Sequence, residues 1–336
     1  NRLNYYMFDK CLAHELCHVY AFSFDYFMDI QTEKELKEVF SFLEAGNFEQ
    51  AQKLLFHIFE YSLDCWEVVF TSDCCNRWVD FINNLQNFTD YAERGEILLT
   101  EWKLFVSFLK QQKQKYMPAY YAVCRGIFQL ALQNFSRLLN EKSPVIKADI
   151  LRKTGLCYKK LGEFENAKMC LYEANNLHGG QAAVLADLAD CFALCGEDKA
   201  AKVMFREAFF IDSKKIDLEF LDSEMMRCLI QKTEEQGFTG EALKAWIPVY
   251  GILWGVLTVK RNLRSQEIGK LRQEIYAMEN EHKDPSRHSE SLIPRLIYKY
   301  FWLIDYCQSI NDRQLINEIL LKIKILDTNV YKLYVK

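Results

Sequence analysis

The chain has 336 residues, a formal net charge of −4, 50% hydrophobic residues and 14% aromatic residues. That composition excludes a disordered chain, which lacks the apolar material to fold, and it excludes a strongly basic nucleic-acid surface. The length exceeds the needs of one small core and suits two domains or an extended array.

Twelve cysteines in so long a chain predict free thiols, in the cytoplasm or another reducing compartment, rather than a disulfide framework. The first residue is Asn1 rather than Met, which reads as a fragment of a larger protein. No run reaches the roughly 18 apolar residues of a membrane span. Period-2 alternation is almost absent, and apolar residues recur at three and four, so the whole chain is predicted helical. Turns are predicted near Gly46, Thr71–Asp73, Met117–Pro118, Lys142–Pro144, Gly162, His178–Gly180, Gly196, Gly237, Lys283–Pro285 and Ile310–Asp312.

The first predicted helix contains His14-Glu15-Leu16-Cys17-His18. On a helix this spacing puts two histidines on one face with a glutamate beside them, as zinc proteases require. On the helical wheel Tyr5, Phe8, Leu12, Leu16 and Val19 form an apolar stripe within about 40° of Leu12, while His14 and His18 point about 200° and 240° away. The helix buries its other side first, and no third-ligand pattern follows. No catalytic residue is assigned. Cys11, His14 and His18 share one flank and are the candidates for a metal site. No phosphate loop, nucleophile elbow or dinucleotide fingerprint occurs, so no cofactor is expected.

Next comes "VFSFLEAGNFEQAQKLLFHIF" (Val39 to Phe59), a helical hairpin turning at Gly46 with Phe48, Ala51 and Leu55 behind it. The stretch from Cys65 to Ser143 is helical with no repeated signature. Two segments then align at an offset of 34 residues, "ADILRKTGLCYKKLGEFENAKMCLYEANNL" from Ala148 and "AAVLADLADCFALCGEDKAAKVMFREAFFI" from Ala182. Leu151 pairs with Leu185, Gly155 with Ala189, Tyr158 with Phe192 and Gly162 with Gly196. Ala167 pairs with Ala201, Leu171 with Phe205 and Ala174 with Ala208. Small residues recur where two helices approach closely, large ones where the gap is filled, and the shared Gly ends the first helix. Cys157 and Cys191 occupy one repeated position, which assigns them to packing.

This period and pattern resemble the tetratricopeptide repeat. The likeness is clear over about 148–213 and partial over about 32–60 and 223–250, where Gly237, Ala242 and Trp246 follow a seven-residue insertion and Pro248 interrupts the second helix. The resemblance implies an all-α, right-handed superhelical solenoid of stacked antiparallel hairpins. Residues 1–144 would hold degenerate repeats and 145–258 the core. Residues 259–336 would hold a long polar helix with the seam Ile268, Leu271, Ile275 and Met278, a loop at 282–291, and a last hairpin. The basic cluster Lys260, Arg261 and Arg264 reads as a solvated face.

The resemblance also implies a groove lined by the first helix of each repeat. That predicts a mixed, basic set, Asp149, Arg152, Leu156, Lys159 and Lys160, then a small and apolar set, Ala183, Ala186, Asp190, Ala193 and Leu194. Carboxylate-clamp members of the family set Lys and Asn in the groove. Here Arg152 could stand for the Lys, but Leu156 and Asp187 occupy the Asn positions, so chaperone-tail binding is not expected. The expected function is a non-catalytic interaction scaffold holding a partner peptide or helix within a larger assembly, with no nucleic acid. The alternatives are a zinc-dependent hydrolase using His14, Glu15 and His18, and a regulatory repeat module of a longer multidomain enzyme.

Overall fold

The computed structural model describes residues 28–336, save 63, 285, 287 and 288, and these residues contain helices and no strand. They divide into two compact units, one up to Arg137 and one from Leu138 to Lys336.

The first unit holds α1 (Ile30–Glu44), α2 (Phe48–Phe59), α3 (Trp66–Leu85), α4 (Tyr91–Gln111) and α5 (Met117–Ser136). Asp29 caps α1 by accepting the N–H groups of Gln31 at 2.8 Å and Thr32 at 3.1 Å. Leu36, Val39 and Leu43 follow at helical spacing and are buried. α5 packs against both α1 and α4. Gly126 permits the first contact, because a Cβ there would stand 2.0 Å from Leu43 O. Gly126→Ala is therefore expected to cost about 1–3 kcal/mol, since one of two helix backbones must move. A melting temperature equal to that of the parent chain would show that the crossing yields without strain.

One prediction fails here. Thr71–Asp73 is not a turn but lies within α3. Thr71 is buried, and its hydroxyl donates to Glu67 O at 2.6 Å, so the helix itself satisfies it. Cys74 and Cys75 are buried on the same helix, and burial pushes both thiols up to about 12. The actual breaks, at 60–65 and 86–90, carry neither Gly nor Pro.

The second unit holds α6 (Pro144–Lys160), α7 (Phe164–Leu177), α8 (Ala182–Leu194), α9 (Asp198–Asp212), α10 (Glu224–Glu234), α11 (Gly240–Leu253), α12 (Ser265–Lys283), α13 (Leu292–Ser309), α14 (Arg313–Leu326) and α15 (Thr328–Val335). α6 packs on α7, α7 on α8 and α8 on α9. Lys160 and Leu194 end the two first helices, and Phe164 and Asp198 open their partners, each pair 34 residues apart. The turns match as well. Gly162 and Gly196 adopt φ of 80° and 79°, and the next N–H reaches back to Tyr158 O at 2.9 Å or Phe192 O at 2.8 Å. Only a residue tolerant of the left-handed region closes a helix this way. Asn311, at φ 58°, makes the same closure between α13 and α14, with Asp312 N–H on Cys307 O at 2.9 Å.

The insertion before α10 forms two 3-10 turns, Ser213–Lys215 and Leu218–Phe220, and buries Ile216 and Phe220. α11 continues through Pro248. The polar helix appears as α12, and its seam residues Ile268, Leu271, Ile275 and Met278 are all buried. Arg206 of α9 is buried, bonds Asp305 of α13 and lies 4.9 Å from the Trp302 ring centroid. Two residues of the basic cluster are paired: Arg261 bridges Glu207 at 2.8 Å and Glu267 at 2.9 Å, and Lys260 meets Asp305 at 2.8 Å.

Candidate functional site

The predicted groove residues lie on α6 and α8, and the structure brings the five charged ones, Asp149, Arg152, Lys159, Lys160 and Asp190, together around one ion network. α8 is apolar on nearly every side, so it is buried by α6, α7 and α9. Two carboxylates interrupt it, Asp187 and Asp190, both buried. Lys159 of α6 is buried against them, its Nζ 3.2 Å from Asp187 Oδ1 and 3.0 Å from Asp190 Oδ2. Arg152 adds a second cation to Asp187 at 3.3 Å. Asp149, half-exposed, holds Lys153 and lies 3.7 Å from Arg152.

Asp190 has a second role. Its oxygens accept the N–H groups of Asp222 at 2.8 Å and Ser223 at 2.9 Å, just before α10. Lys160 reaches Asp222 at 2.7 Å and lies 5.8 Å from the Phe220 ring. The insertion thus delivers the start of α10 onto a carboxylate of α8, and a lysine of α6 neutralises that carboxylate. One network ties three successive first helices.

Burial by itself pushes the Asp190 carboxyl up, but the Lys159 ammonium and the N–H group of Asp222 outweigh it and hold it below the ordinary aspartate value. Burial pushes the Lys159 ammonium down, while Asp190 and Asp187 carry it above the ordinary lysine value.

These positions correct the predicted groove. Leu156, Lys159, Ala186 and Asp190 are buried and line no open surface, and the side chain of Lys160 is 4% exposed. The physical reason is that unpaired charge is costly inside, so Lys159 and Asp190 turn toward each other rather than outward. Asp149, Ala183, Ala193 and Leu194 keep exposed surface. Ala193 lines a cleft of about 300 Å³ with Asp198, Ser223, Glu224, Met225 and Cys228. None of those five carries a sequence signal for a site. Asp187 does carry one, because two carboxylates in the apolar run "ADLADCFAL" call for a buried cation.

Cys11, His14 and His18 lie outside the described residues. Among the described residues no group of three or more His, Cys, Asp or Glu could hold a metal ion. Their ten cysteines are free thiols, and no described helix is long and apolar enough to cross a membrane. No protein-family model matches the chain, and no curated protein matches it.

Proposed function

We propose that the chain is a non-catalytic interaction scaffold. In this reading its helical hairpins stack as a right-handed, tetratricopeptide-like solenoid, and the face carrying α6, α8 and α10 holds a segment or helix of a protein partner within a larger assembly. The observation that carries it is the cleft where the end of α8 meets the start of α10. Successive first helices separate there, while the Lys159–Asp190 network beneath holds them in register. The matched helix ends and glycine turns support the repeat reading. The partner-binding surface then comprises Asp149, Ala183, Ala193 and Leu194, extended by Glu224, Met225 and Cys228.

The test is affinity capture with the full chain from the cells that make it. Ala183→Arg and Leu194→Arg each put a long cation on a half-exposed position, so both variants are expected to fold. Each is expected to reduce capture of a specific partner about tenfold, the loss of a well-placed interface contact. Ala186 is buried and is unsuitable for this substitution. If both variants fold and capture every partner as the parent does, this face is not the binding surface.

A further inference from the structure

A second cleft in the second unit is lined by residues of α9, α11, α13 and α15 and of the loop at 254–264, and it encloses about 230 Å³. Two cations of its lining converge on one carboxylate. Arg206 is 3% exposed and bonds Asp305, and the Lys260 ammonium meets the other oxygen of Asp305 at 2.8 Å. Asp305 is the one anion among the described residues of the lining, so the cleft keeps one positive charge in excess. Glu207, next to Arg206 in the chain, does not balance it, because it pairs with Arg261.

Donors are in excess as well. Arg206 gives one N–H to Val259 O at 3.3 Å, but its buried Nε–H has no acceptor. Thr258 and Tyr334 line the same cleft, and neither hydroxyl has a hydrogen-bond partner among the described residues. Burial, helped by the Asp305 carboxylate and opposed by Arg206, pushes the Tyr334 phenol up to about 12, so at neutral pH it stays protonated and can donate. A buried cation without full balance and a buried N–H without an acceptor are both costly. The remaining walls are apolar, Ile252, Leu253, Phe301 and Leu333.

We infer that this cleft binds a small carboxylate with a compact apolar body. The carboxylate supplies the missing negative charge and accepts from the Lys260 ammonium and the Tyr334 hydroxyl as charge-assisted hydrogen bonds. One excess charge matches a monoanion rather than a dianion. The apolar body packs on Phe301, Ile252 and Leu333, which a bare inorganic anion would leave uncovered. The volume lies below the range of drug-sized pockets and limits the body to about one ring. This site is distinct from the α8 and α10 surface and goes beyond the scaffold reading.

The probe is para-fluorobenzoate, titrated into the full chain and followed by fluorine NMR line broadening. Binding is expected with a Kd of about 1 mM, the strength of a fragment-sized ligand. Para-fluorobenzamide keeps the shape, loses the charge and is expected to bind at least about tenfold more weakly. Acetate keeps the charge, loses the body and should displace the probe only at about tenfold higher concentration. Lys260→Met removes the excess charge at an exposed position and leaves Arg206 with Asp305, so it is expected to fold and to weaken binding about tenfold. Tyr334→Phe keeps the ring stacked on Phe301 and removes one donor, for a loss of about threefold. Leu333→Asp, at a position 41% exposed, sets a second carboxylate in the wall and should abolish binding. It keeps the test readable if Lys260→Met unfolds. No broadening by the parent chain, equal broadening of the amide, or binding that survives both Lys260→Met and Leu333→Asp overturns the inference.

Discussion

Lys159→Met is expected to lower the unfolding free energy of the second unit by about 3–5 kcal/mol, the cost of removing one partner from a buried ion pair. Methionine matches the length of the lysine stem, so the loss is of charge rather than volume. Asp187 retains Arg152 at 3.3 Å. Asp190 retains only dipoles, the N–H groups of Asp222 and Ser223. Adding Asp190→Asn to Lys159→Met should therefore cost less than the two single changes together, because the second change removes the stranded charge. The pH dependence has a fixed sign. The folded Asp190 carboxyl is held below 3.8, so its contribution is present above 3.8 and is lost as pH falls through the folded value. The folded Lys159 ammonium is held above 10.5, so its contribution is present below 10.5 and is lost as pH rises through the folded value. Wild type and Lys159→Met should differ most between these limits. Urea unfolding, with hydrogen exchange of α6, α8 and α10 followed by mass spectrometry, measures the difference. A deficit under about 1 kcal/mol at neutral pH would mean that the pair behaves as a solvent-screened one.

Most helices of the second unit were legible because their hairpins repeat one local solution. Gly162 and Gly196 end their helices by the same left-handed closure, and Ala167, Ala201, Ala174 and Ala208 are fully buried where the helices meet. Such features are local, and a sequence displays them directly. The seam of α12 was legible for the same reason. The groove was only partly legible, because one helical wheel shows which residues share a face but not how many neighbours cover that face. α8 touches α6, α7 and α9, so Ala186 and Asp190 point into protein where a lone helix would show them to solvent. Asp222 and Ser223 were invisible as partners of Asp190, because an insertion brings them back from more than thirty residues away. In α3 the polar run Thr71-Ser72-Asp73 suggested a break, but Val68, Cys74, Cys75 and Trp78 are buried on either side of it, and the buried Thr71 hydroxyl is satisfied on Glu67 O.

Within the first unit, α3, α4 and α5 showed no repeat signature because the core they share is built from aromatic rings rather than alternating small and large residues. Trp102 stands at the centre of that core. Its ring lies 5.0 Å from Phe128, 5.4 Å from Phe105, 5.7 Å from Tyr120 and 6.4 Å from Trp78, centroid to centroid. The residue is fully buried. Trp102→Ala is expected to destabilise the first unit by about 3–5 kcal/mol, the transfer energy of the ring plus the cavity it leaves. Trp102→Phe separates two causes. The indole N–H has no hydrogen-bond acceptor, so phenylalanine removes an unsatisfied buried donor along with part of the ring. Its net cost should stay below about 1.5 kcal/mol, the range of a near-conserving apolar exchange. Hydrogen exchange of α3, α4 and α5 reads the unit directly, because the rings of Trp78, Trp102 and Phe128 join those three helices. If Trp102→Phe opens these helices as much as Trp102→Ala does, the N–H is satisfied in solution and the ring alone does not set the stability. If Trp102→Ala leaves their exchange unchanged, the aromatic cluster is not the core that holds the unit together.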